Sequence, residues 1–188
     1  MRIKTVFTGV GRLAAERALL KTLETHTADC VFSCGFAGAL DPGWSVGTVG
    51  FTTDHDALRT ALLNAGAVPM RFLSLDRVAA TAAEKAALRA RTGADAVEME
   101  SAALQAICRT RNIPFAVVRA ISDAATENLP LDFNRVLRAS GHVDFGRLLM
   151  ALARRPAAVV GLLRLHRQAR RASTRLAEVL ISVLGIST

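Results

Sequence analysis

The sequence is poor in aromatic residues and lacks any apolar run long enough to cross a membrane. Aromatic residues make up 5% of the 188 positions and hydrophobic residues 51%, so the core must be built from Ala, Val and Leu. A membrane-spanning helix needs roughly 20 consecutive apolar residues. The opening M-R-I-K-T-V-F-T-G also lacks the apolar segment and cleavage site of a signal peptide. We therefore expect a cytoplasmic protein with one large core.

Cysteine is scarce as well, and the number and spacing of the cysteines argue against both a disulfide framework and a zinc site. The three cysteines, Cys30, Cys34 and Cys108, are an odd number in strand or helix contexts, which favours reduced thiols over a disulfide framework. Cys30 and Cys34 lack His or further Cys partners at zinc-site spacing. The sequence thus predicts no metal and no cofactor.

The stretch from residue 94 to residue 123 organises the rest of the chain. Residues 94–97 form a short apolar segment typical of a strand, and the spacing over residues 100–110 predicts a helix. Pro114 ends that helix, and residues 115–121 are a continuous apolar run of the kind found in a buried parallel sheet. The unit is therefore strand, helix, strand.

Three carboxylates follow the two strands of this unit. Glu98 and Glu100 come after the first strand and Asp123 after the second. In open α/β sheets, ligands bind outside the carboxyl ends of the strands, which favours a site here. The ordinary alternative is that the two Glu residues begin a helix, where acids suit the positive end of the dipole, and that Asp123 caps a loop. From the residues alone, both interpretations stay open.

Motifs in this unit resemble those of a known family. V-E-M-E-S-A-A at residues 97–103, followed by V-V-R-A-I-S-D at 117–123, is similar to the nucleoside phosphorylase and nucleosidase superfamily, which cleaves the N-glycosidic bond of nucleosides. C-G-F-A-G-A-L-D-P at 34–42 resembles a glycine-rich loop of the same family. The resemblance implies a three-layer α/β/α fold around a mixed twisted sheet.

The resemblance also implies a role for each acidic motif. Breaking the bond between ribose and a purine needs a proton on the leaving base and support for an oxocarbenium-like sugar. Asp123 would supply the proton, Glu100 would hold the ribose hydroxyls and Met99 would pack against the sugar. An Asp that donates a proton near neutral pH needs burial or an acidic neighbour to keep that proton, and Glu98 and Glu100 are candidates for the neighbour.

Other residues are predicted to line the same pocket. Small side chains let the backbone approach a flat ligand, and Val78 stands where the family often carries an aromatic residue over the base. The predicted lining residues are Phe36, Ala37, Gly38, Val78, Glu98 and Ser122. The alternative for the glycine-rich loop is ordinary turn chemistry.

A glycine turn near the start of the chain is a candidate anion site. Residues 3–8 predict a buried strand, and T-G-V-G-R after it resembles the family's S-G-I-G-K turn, so the Gly11 N–H and Arg12 could hold an anion or phosphate. The pattern G-x-G-x-x-A from Gly9 is also compatible with a dinucleotide site. However, the next strand ends at Cys34 and not at the acid that a dinucleotide's ribose needs.

Two departures from the family bear on the reaction. Family members usually open with one more strand, whose loop carries a Glu that activates water or a turn that grips phosphate; the sequence begins after that point, so the nucleophile's activator is unassigned. A catalytically impaired nucleoside-binding protein is therefore an alternative. Phosphorylases of the family place an Arg and a Ser where this sequence has Ser33 and Phe36, which favours hydrolysis.

The C-terminal part is rich in arginine. The family motifs end near residue 150, so we expect a domain over residues 1–150 and a basic helical extension over 151–188, with one long helix at 159–184. Its predicted apolar positions are Val160, Leu163, Leu176, Val179, Leu180 and Val183. Arginines among leucines usually form a solvated face beside a packed one; the alternative is a helix resting on the inner membrane surface.

One subfamily shares the motif D-R-V, the motif V-E-M-E-S-A and an arginine-rich helical tail. The chain resembles its members, the hopanoid-associated phosphorylase-like proteins, which implies adenosylhopane as substrate. Nucleic-acid binding is the least favoured alternative, because the tail offers almost no aromatic residues for base stacking. The resemblance further implies a purine nucleoside substrate and a homo-oligomer.

Overall fold

The structure is a computed structural model, and it describes residues 2–136 and 158–186 together with 144, 146, 150 and 152. Its elements in chain order are α1 (Arg12–Thr25), β1 (Val31–Ala39), β2 (Val49–Thr53), α2 (Asp56–Asn64), β3 (Val68–Pro69), β4 (Phe72–Ser74), α3 (Ala82–Thr92), β5 (Ala96–Glu98), α4 (Ser101–Thr110), β6 (Phe115–Asp123), α5 (Phe133–Val136) and α6 (Ala158–Leu184).

A six-stranded mixed sheet in the order β3-β2-β6-β1-β5-β4 forms the middle layer. β6 runs parallel to β1 and antiparallel to β2, while β1 pairs antiparallel with β5. Side chains alternate across β6 because successive Cβ atoms in a strand point to opposite faces. Phe115 and Val117 pack with α1 and α4, and Ala116 and Val118 pack with α2 and α6. The predicted fold class, helices on both faces of a mixed sheet, is confirmed.

The apolar stretch at residues 68–75 predicts a single strand, but the sheet curls there and the stretch forms two strands, β3 and β4. β3 pairs with β2 and β4 pairs with β5, so the two strands lie at opposite ends of the strand order although only Met70 and Arg71 separate them. Met70 is buried inside the curl. The Met70 N–H still donates to the Phe51 carbonyl of β2, whereas the Arg71 carbonyl accepts from the Asp95 N–H, so the chain changes its partner between residues 70 and 71.

The N-terminal segment also departs from expectation. Residues 3–8 were predicted as a buried strand, but residues 2–9 form neither helix nor strand, and the Phe7 side chain is 95% exposed. Among the described residues, β1 pairs with β5 only at Gly38 and Ala39. The rest of that edge of β1 lines a cavity, and the N-terminal segment lines the same cavity. An apolar run becomes a strand only where a neighbouring strand satisfies its backbone.

The C-terminal helix α6 shares the core of the sheet. Ala172, Leu176 and Val179 are buried against β2 and β6. Val160 and Leu163, predicted on the apolar face, are exposed instead, because at this turn the helix approaches the preceding loop through Gly161, against Pro130. The sequence also predicts a helix over residues 133–154. Residues 133–136 of that range form α5, and most of the remainder lies outside the described residues. Within the described part of the chain, no helix is both long and apolar enough to span a membrane.

Helix α3 begins and ends at residues with clear local signals. Thr81 caps its first turn by accepting a hydrogen bond from the Glu84 N–H at 3.2 Å, and Gly93 ends it with φ of 64°. The helix turns two side chains, Lys85 and Leu88, toward the protein interior. A lysine buried in this way requires an acceptor, and the acceptor lies in the candidate site.

Candidate active site

The strand directions separate two of the predicted carboxylates. Because β5 runs antiparallel to β1 while β6 runs parallel to it, the ends of β5 and β6 do not point the same way. Gly38 of β1 is paired with Val97 of β5 on one side and with Asp123 of β6 on the other. From Val97, β5 runs in the direction opposite to β1, and the next residue, Glu98, forms an ion pair with Arg119. Glu98, predicted as one candidate for the acidic neighbour of Asp123, is therefore paired with Arg119.

Glu98 is held in a buried network around Arg119. The Arg119 guanidinium donates to Glu98 Oε2 at 2.8 Å and to the Ser33 carbonyl at 2.7 Å. Glu98 also accepts hydrogen bonds from Ser74 and from the Ser101 hydroxyl and N–H. Burial pushes the pKa of Glu98 upward, but the Arg119 charge and these hydrogen bonds outweigh burial and hold the pKa below its ordinary value. Glu98 is thus an ionised carboxylate whose oxygens are occupied by protein groups.

Glu100 lies next to this network and is partly exposed. Its Oε1 accepts a hydrogen bond from the Gly11 N–H at 2.7 Å, and its Oε2 lies 3.7 Å from the Arg119 guanidinium. The anion held by the predicted glycine turn is therefore this carboxylate. Arg12, the other predicted anion partner, lies 3.5 Å from the exposed Asp76.

Asp123 is 7% exposed and ends β6. Its Oδ2 accepts a hydrogen bond from Lys85 Nζ at 2.5 Å, and its Oδ1 accepts one from the Ser122 hydroxyl at 2.7 Å. A Cβ on Gly38 would lie 3.0 Å from Oδ2, so the carboxylate occupies space that only glycine leaves open. Lys85 was missed by the sequence analysis, since a lysine in the alanine-rich α3 has the pattern of a solvent-exposed residue.

The predicted lining residues meet at one large cavity of about 1450 Å³. Gly11 and Arg12 are not among the residues that line it. The predicted residues that do are Phe36, Ala37, Gly38, Val78, Glu98, Met99, Glu100, Ser122 and Asp123. The backbone of Val78 is held by the side chain of Asn134. Its N–H donates to Asn134 Oδ1 at 2.8 Å, and its carbonyl accepts from Asn134 Nδ2 at 3.0 Å.

The three cysteines all lie within the described part of the chain. All three cysteines are free thiols, and burial, together with nearby Cys108, raises the pKa of Cys30 to about 11. A thiol with a raised pKa is a poor nucleophile at neutral pH. Within the part of the chain that the structure describes, no three His, Cys, Asp or Glu side chains lie close enough to hold a metal ion.

Comparisons with known proteins identify a matching family and individual relatives. A family model of the phosphorylase superfamily matches residues 55–154. The 5′-methylthioadenosine/S-adenosylhomocysteine nucleosidase of Actinobacillus succinogenes is 32% identical over 163 residues, which cover 69% of this chain and 71% of the relative. The nucleosidase of the same name from Pseudoalteromonas translucida is 27% identical over 192 residues, 84% of this chain and 81% of the relative.

Solved structures share the fold. The chain matches a 5′-methylthioadenosine/S-adenosylhomocysteine nucleosidase from Colwellia psychrerythraea, in complex with adenine, with a TM-score of 0.71, 20% identity and coverage of 95% of this chain and 75% of that one. Futalosine hydrolase of Helicobacter pylori matches with a TM-score of 0.69, 16% identity and coverage of 95% and 77%. The shared fold thus extends well past residue 150 into α6.

The chain belongs to the phosphorylase superfamily, as its motifs predicted. It is an enzyme of the N-glycosidase type, the class that cleaves the bond between base and sugar in nucleosides.

Proposed function

We propose that the enzyme cleaves the N-glycosidic bond of a purine nucleoside, with Asp123 as general acid and Glu100 as ligand of the ribose hydroxyls. The observation that carries this proposal is that Asp123, Glu100 and Met99 line one cavity with the small residues Ala37 and Gly38. The small residues leave room for a flat base beside Asp123.

The proposed reaction transfers one proton from Asp123 to the base and consumes one water molecule. Asp123 gives its proton to a ring nitrogen of the purine as the bond from C1′ breaks, and the bonding electron pair leaves with the base. Positive charge that develops on the sugar lies near the Glu100 carboxylate, and Met99 packs against the sugar. Water then adds at C1′ and releases a proton to the solvent, from which Asp123 regains the proton that it gave, and the products are ribose and the free base.

Hydrolysis is favoured over phosphorolysis because the anion partners near the site are already engaged. The Gly11 N–H is taken by Glu100, Arg12 by Asp76, and Arg119 by Glu98. A phosphate dianion could bind at one of these three groups only by displacing the carboxylate that the group already holds. Adenine release from adenosine should therefore proceed at the same rate with and without phosphate. Release that depends on phosphate would overturn this part of the proposal.

The cavity further suggests a nucleoside with a large apolar group on its 5′ side, such as adenosylhopane. Leu165, Leu180 and Leu184 of α6 line the cavity together with Leu23 and Phe32. We expect kcat/KM to be higher for adenosylhopane in detergent than for adenosine or methylthioadenosine. Equal or lower values for adenosylhopane would exclude this substrate preference.

We also propose that α6, the basic helix, lies on a membrane surface, which would suit a nucleoside that carries a large apolar group. Its exposed arginines are Arg164, Arg167, Arg170, Arg171 and Arg175. Val160 and Leu163 are exposed on the same helix. Cosedimentation with vesicles that contain anionic lipid, but not with neutral vesicles, is the expected result. Equal sedimentation with both, or with neither, would count against it.

A homo-oligomer is the remaining proposal from the family. Phe7 and Phe36 line the cavity and are 95% and 44% exposed, so a second copy could cover this apolar surface. Light scattering of the purified protein should give a multiple of the 20.0 kDa chain mass. A monomer at the concentrations used for activity would reject the proposal.

Glu100→Gln tests the ribose ligand. The amide oxygen can still accept the Gly11 N–H, so the turn should keep its place while the negative charge near the sugar is lost. Hydrogen bonds to a charged group contribute about 1.5–3 kcal/mol, so kcat/KM for adenosine should fall by about 10- to 100-fold. Steady-state kinetics check this, with Glu24→Gln on the exposed side of α1 as control. Normal activity on a ribonucleoside would remove Glu100 from the mechanism.

Gly38→Ala tests the close approach of β1 to the general acid. The new Cβ would stand 3.0 Å from Asp123 Oδ2 and push the carboxylate away from its position. The carboxylate would have to move by a few tenths of an ångström. Because misplacing a reacting group by about 1 Å can cost about 100-fold in rate, this smaller shift should lower kcat by about threefold to tenfold. Gly43→Ala, in the turn after β1, is the control. Unchanged kcat in Gly38→Ala would mean that Asp123 tolerates the displacement.

A further inference from the structure

Lys85 is the most deeply buried charge near the site, and the sequence motifs do not include it. The chain has three lysines, and Lys85 alone among them has no exposed surface. Its Nζ donates to Asp123 Oδ2 at 2.5 Å, to the Ala124 carbonyl at 2.8 Å and to the Glu127 carbonyl at 3.1 Å. An ammonium group has three N–H donors, so these acceptors satisfy it completely. Asp123 is the only one of the three that carries charge.

The charged side chains of Glu98 and Glu127, near Asp123, are bound to other partners. Glu98 is bound to Arg119. The Glu127 carboxylate accepts hydrogen bonds from the Ala124 N–H at 3.2 Å and from Gln168 Nε2 at 3.0 Å, and it also pairs with Arg164. Among the described residues, Lys85 is therefore the one cation in contact with Asp123. Because Arg164 and Gln168 of α6 bind the Glu127 side chain, they also fix the loop whose Ala124 and Glu127 carbonyls accept from Lys85.

The two oxygens of Asp123 differ in their surroundings. Oδ2 is held by a fixed buried ammonium, whereas Oδ1 accepts from the rotatable hydroxyl of Ser122. That hydroxyl has a second acceptor in the Ala37 carbonyl, 3.3 Å away, so it can turn from Oδ1 when Oδ1 carries a proton. Oδ1 is thus the oxygen suited to hold and release the proton.

We propose that Lys85 is a positioning residue for the general acid. It fixes Asp123 through Oδ2, and its positive charge stands beside the carboxylate that forms when the proton leaves Oδ1 for the base. This deepens the proposed function and rests on it. A preorganised charge of this kind lowers the barrier because no reorganisation is needed as the carboxylate develops. A variant without this charge should therefore show a changed pH dependence of the reaction.

The test replaces Lys85 by methionine, which has a similar length and no charge. Lys85→Met should lower kcat for adenosine by about 100-fold, the cost of losing one preorganised donor, with KM changed by less than about threefold. The alkaline limb of the kcat/KM profile should move to higher pH, which a merely structural role would not produce. Lys21→Met, on the exposed side of α1, should match the wild type in both respects. A Lys85→Met profile that superposes on the wild type, or a raised KM with unchanged kcat, would overturn the proposal.

A double-mutant cycle keeps the proposal testable if Lys85→Met folds poorly. Each single change, Lys85→Met or Asp123→Asn, leaves a buried group without its charged partner, whereas the double variant removes both charges. The double variant should therefore resist urea better than Lys85→Met does. A double variant no more resistant than Lys85→Met would overturn the pairing.

Adenine binding separates failure of this inference from failure of the proposed function. If the wild type releases no base from any nucleoside, the proposed function is wrong, yet calorimetric binding of adenine across pH still reports on Asp123. Loss of adenine affinity at alkaline pH in the wild type, moved to higher pH by Lys85→Met, supports the positioning role. The same pH dependence in both proteins contradicts it.

Discussion

Replacing Asp123 by asparagine is expected to slow base release by about two to four orders of magnitude, the range that general acid catalysis supplies. Asparagine has nearly the shape of aspartate and can keep the contact to Lys85 through its amide oxygen, but it has no acidic proton for the leaving purine. The loss should fall on kcat, because the side chain still fills its place beside Gly38. Single-turnover release of adenine from adenosine measures it.

The control for this variant is Asp54→Asn, which changes an exposed aspartate far from the cavity lining. Far-ultraviolet circular dichroism of both variants checks that the fold is kept, since Asp123→Asn also alters the buried pair with Lys85. An unchanged rate in a folded Asp123→Asn protein would remove Asp123 from the mechanism. Nucleosides whose base departs without protonation, such as a nitrophenyl riboside, should be cleaved at nearly the wild-type rate by the variant.

The parts of the fold that could be predicted are those fixed by local sequence. The apolar run of β6 and the periodicity of α4 predicted elements whose observed limits differ from the predicted ones by at most two residues, and Pro114 lies between the two elements as expected. The resemblance of the motifs around Glu100 and Asp123 to those of the family predicted that both residues belong to one site, and both line the same cavity. These elements carry their own signals and need no distant partner to specify them.

The parts that could not be predicted depend on pairing across the chain. Residues 3–8 have strand-like composition, but strand formation depends on a neighbour, which composition does not reveal. The antiparallel direction of β5 decides that Glu98 meets Arg119 and not Asp123. Lys85 is 38 residues away from Asp123 in sequence, and only the docking of α3 on the sheet brings the two together.

Arg119→Met is expected to have the largest effect on stability. Arg119 is 2% exposed and satisfies Glu98 and Ser33, so its removal leaves the Glu98 carboxylate buried without a counter-charge. Breaking a buried pair by removing one partner costs about 3–5 kcal/mol, a large part of the roughly 5–15 kcal/mol that stabilises a typical domain. Urea unfolding at neutral pH should show this loss. Arg109→Met, on the exposed side of α4, should leave the midpoint nearly unchanged.

The pH dependence of this loss identifies its cause. In the wild type the pKa of Glu98 is lowered on folding, so the stability that Glu98 contributes is present above its unfolded pKa and is lost as pH falls through the folded pKa. Without Arg119, burial is left to oppose the charged form, and protonation of Glu98 then relieves the variant. The difference in unfolding free energy between wild type and Arg119→Met should therefore shrink as the pH is lowered below neutrality. A difference that stays constant with pH would mean that Arg119 stabilises the fold by packing and by its bonds to Ser33, and not through the Glu98 charge.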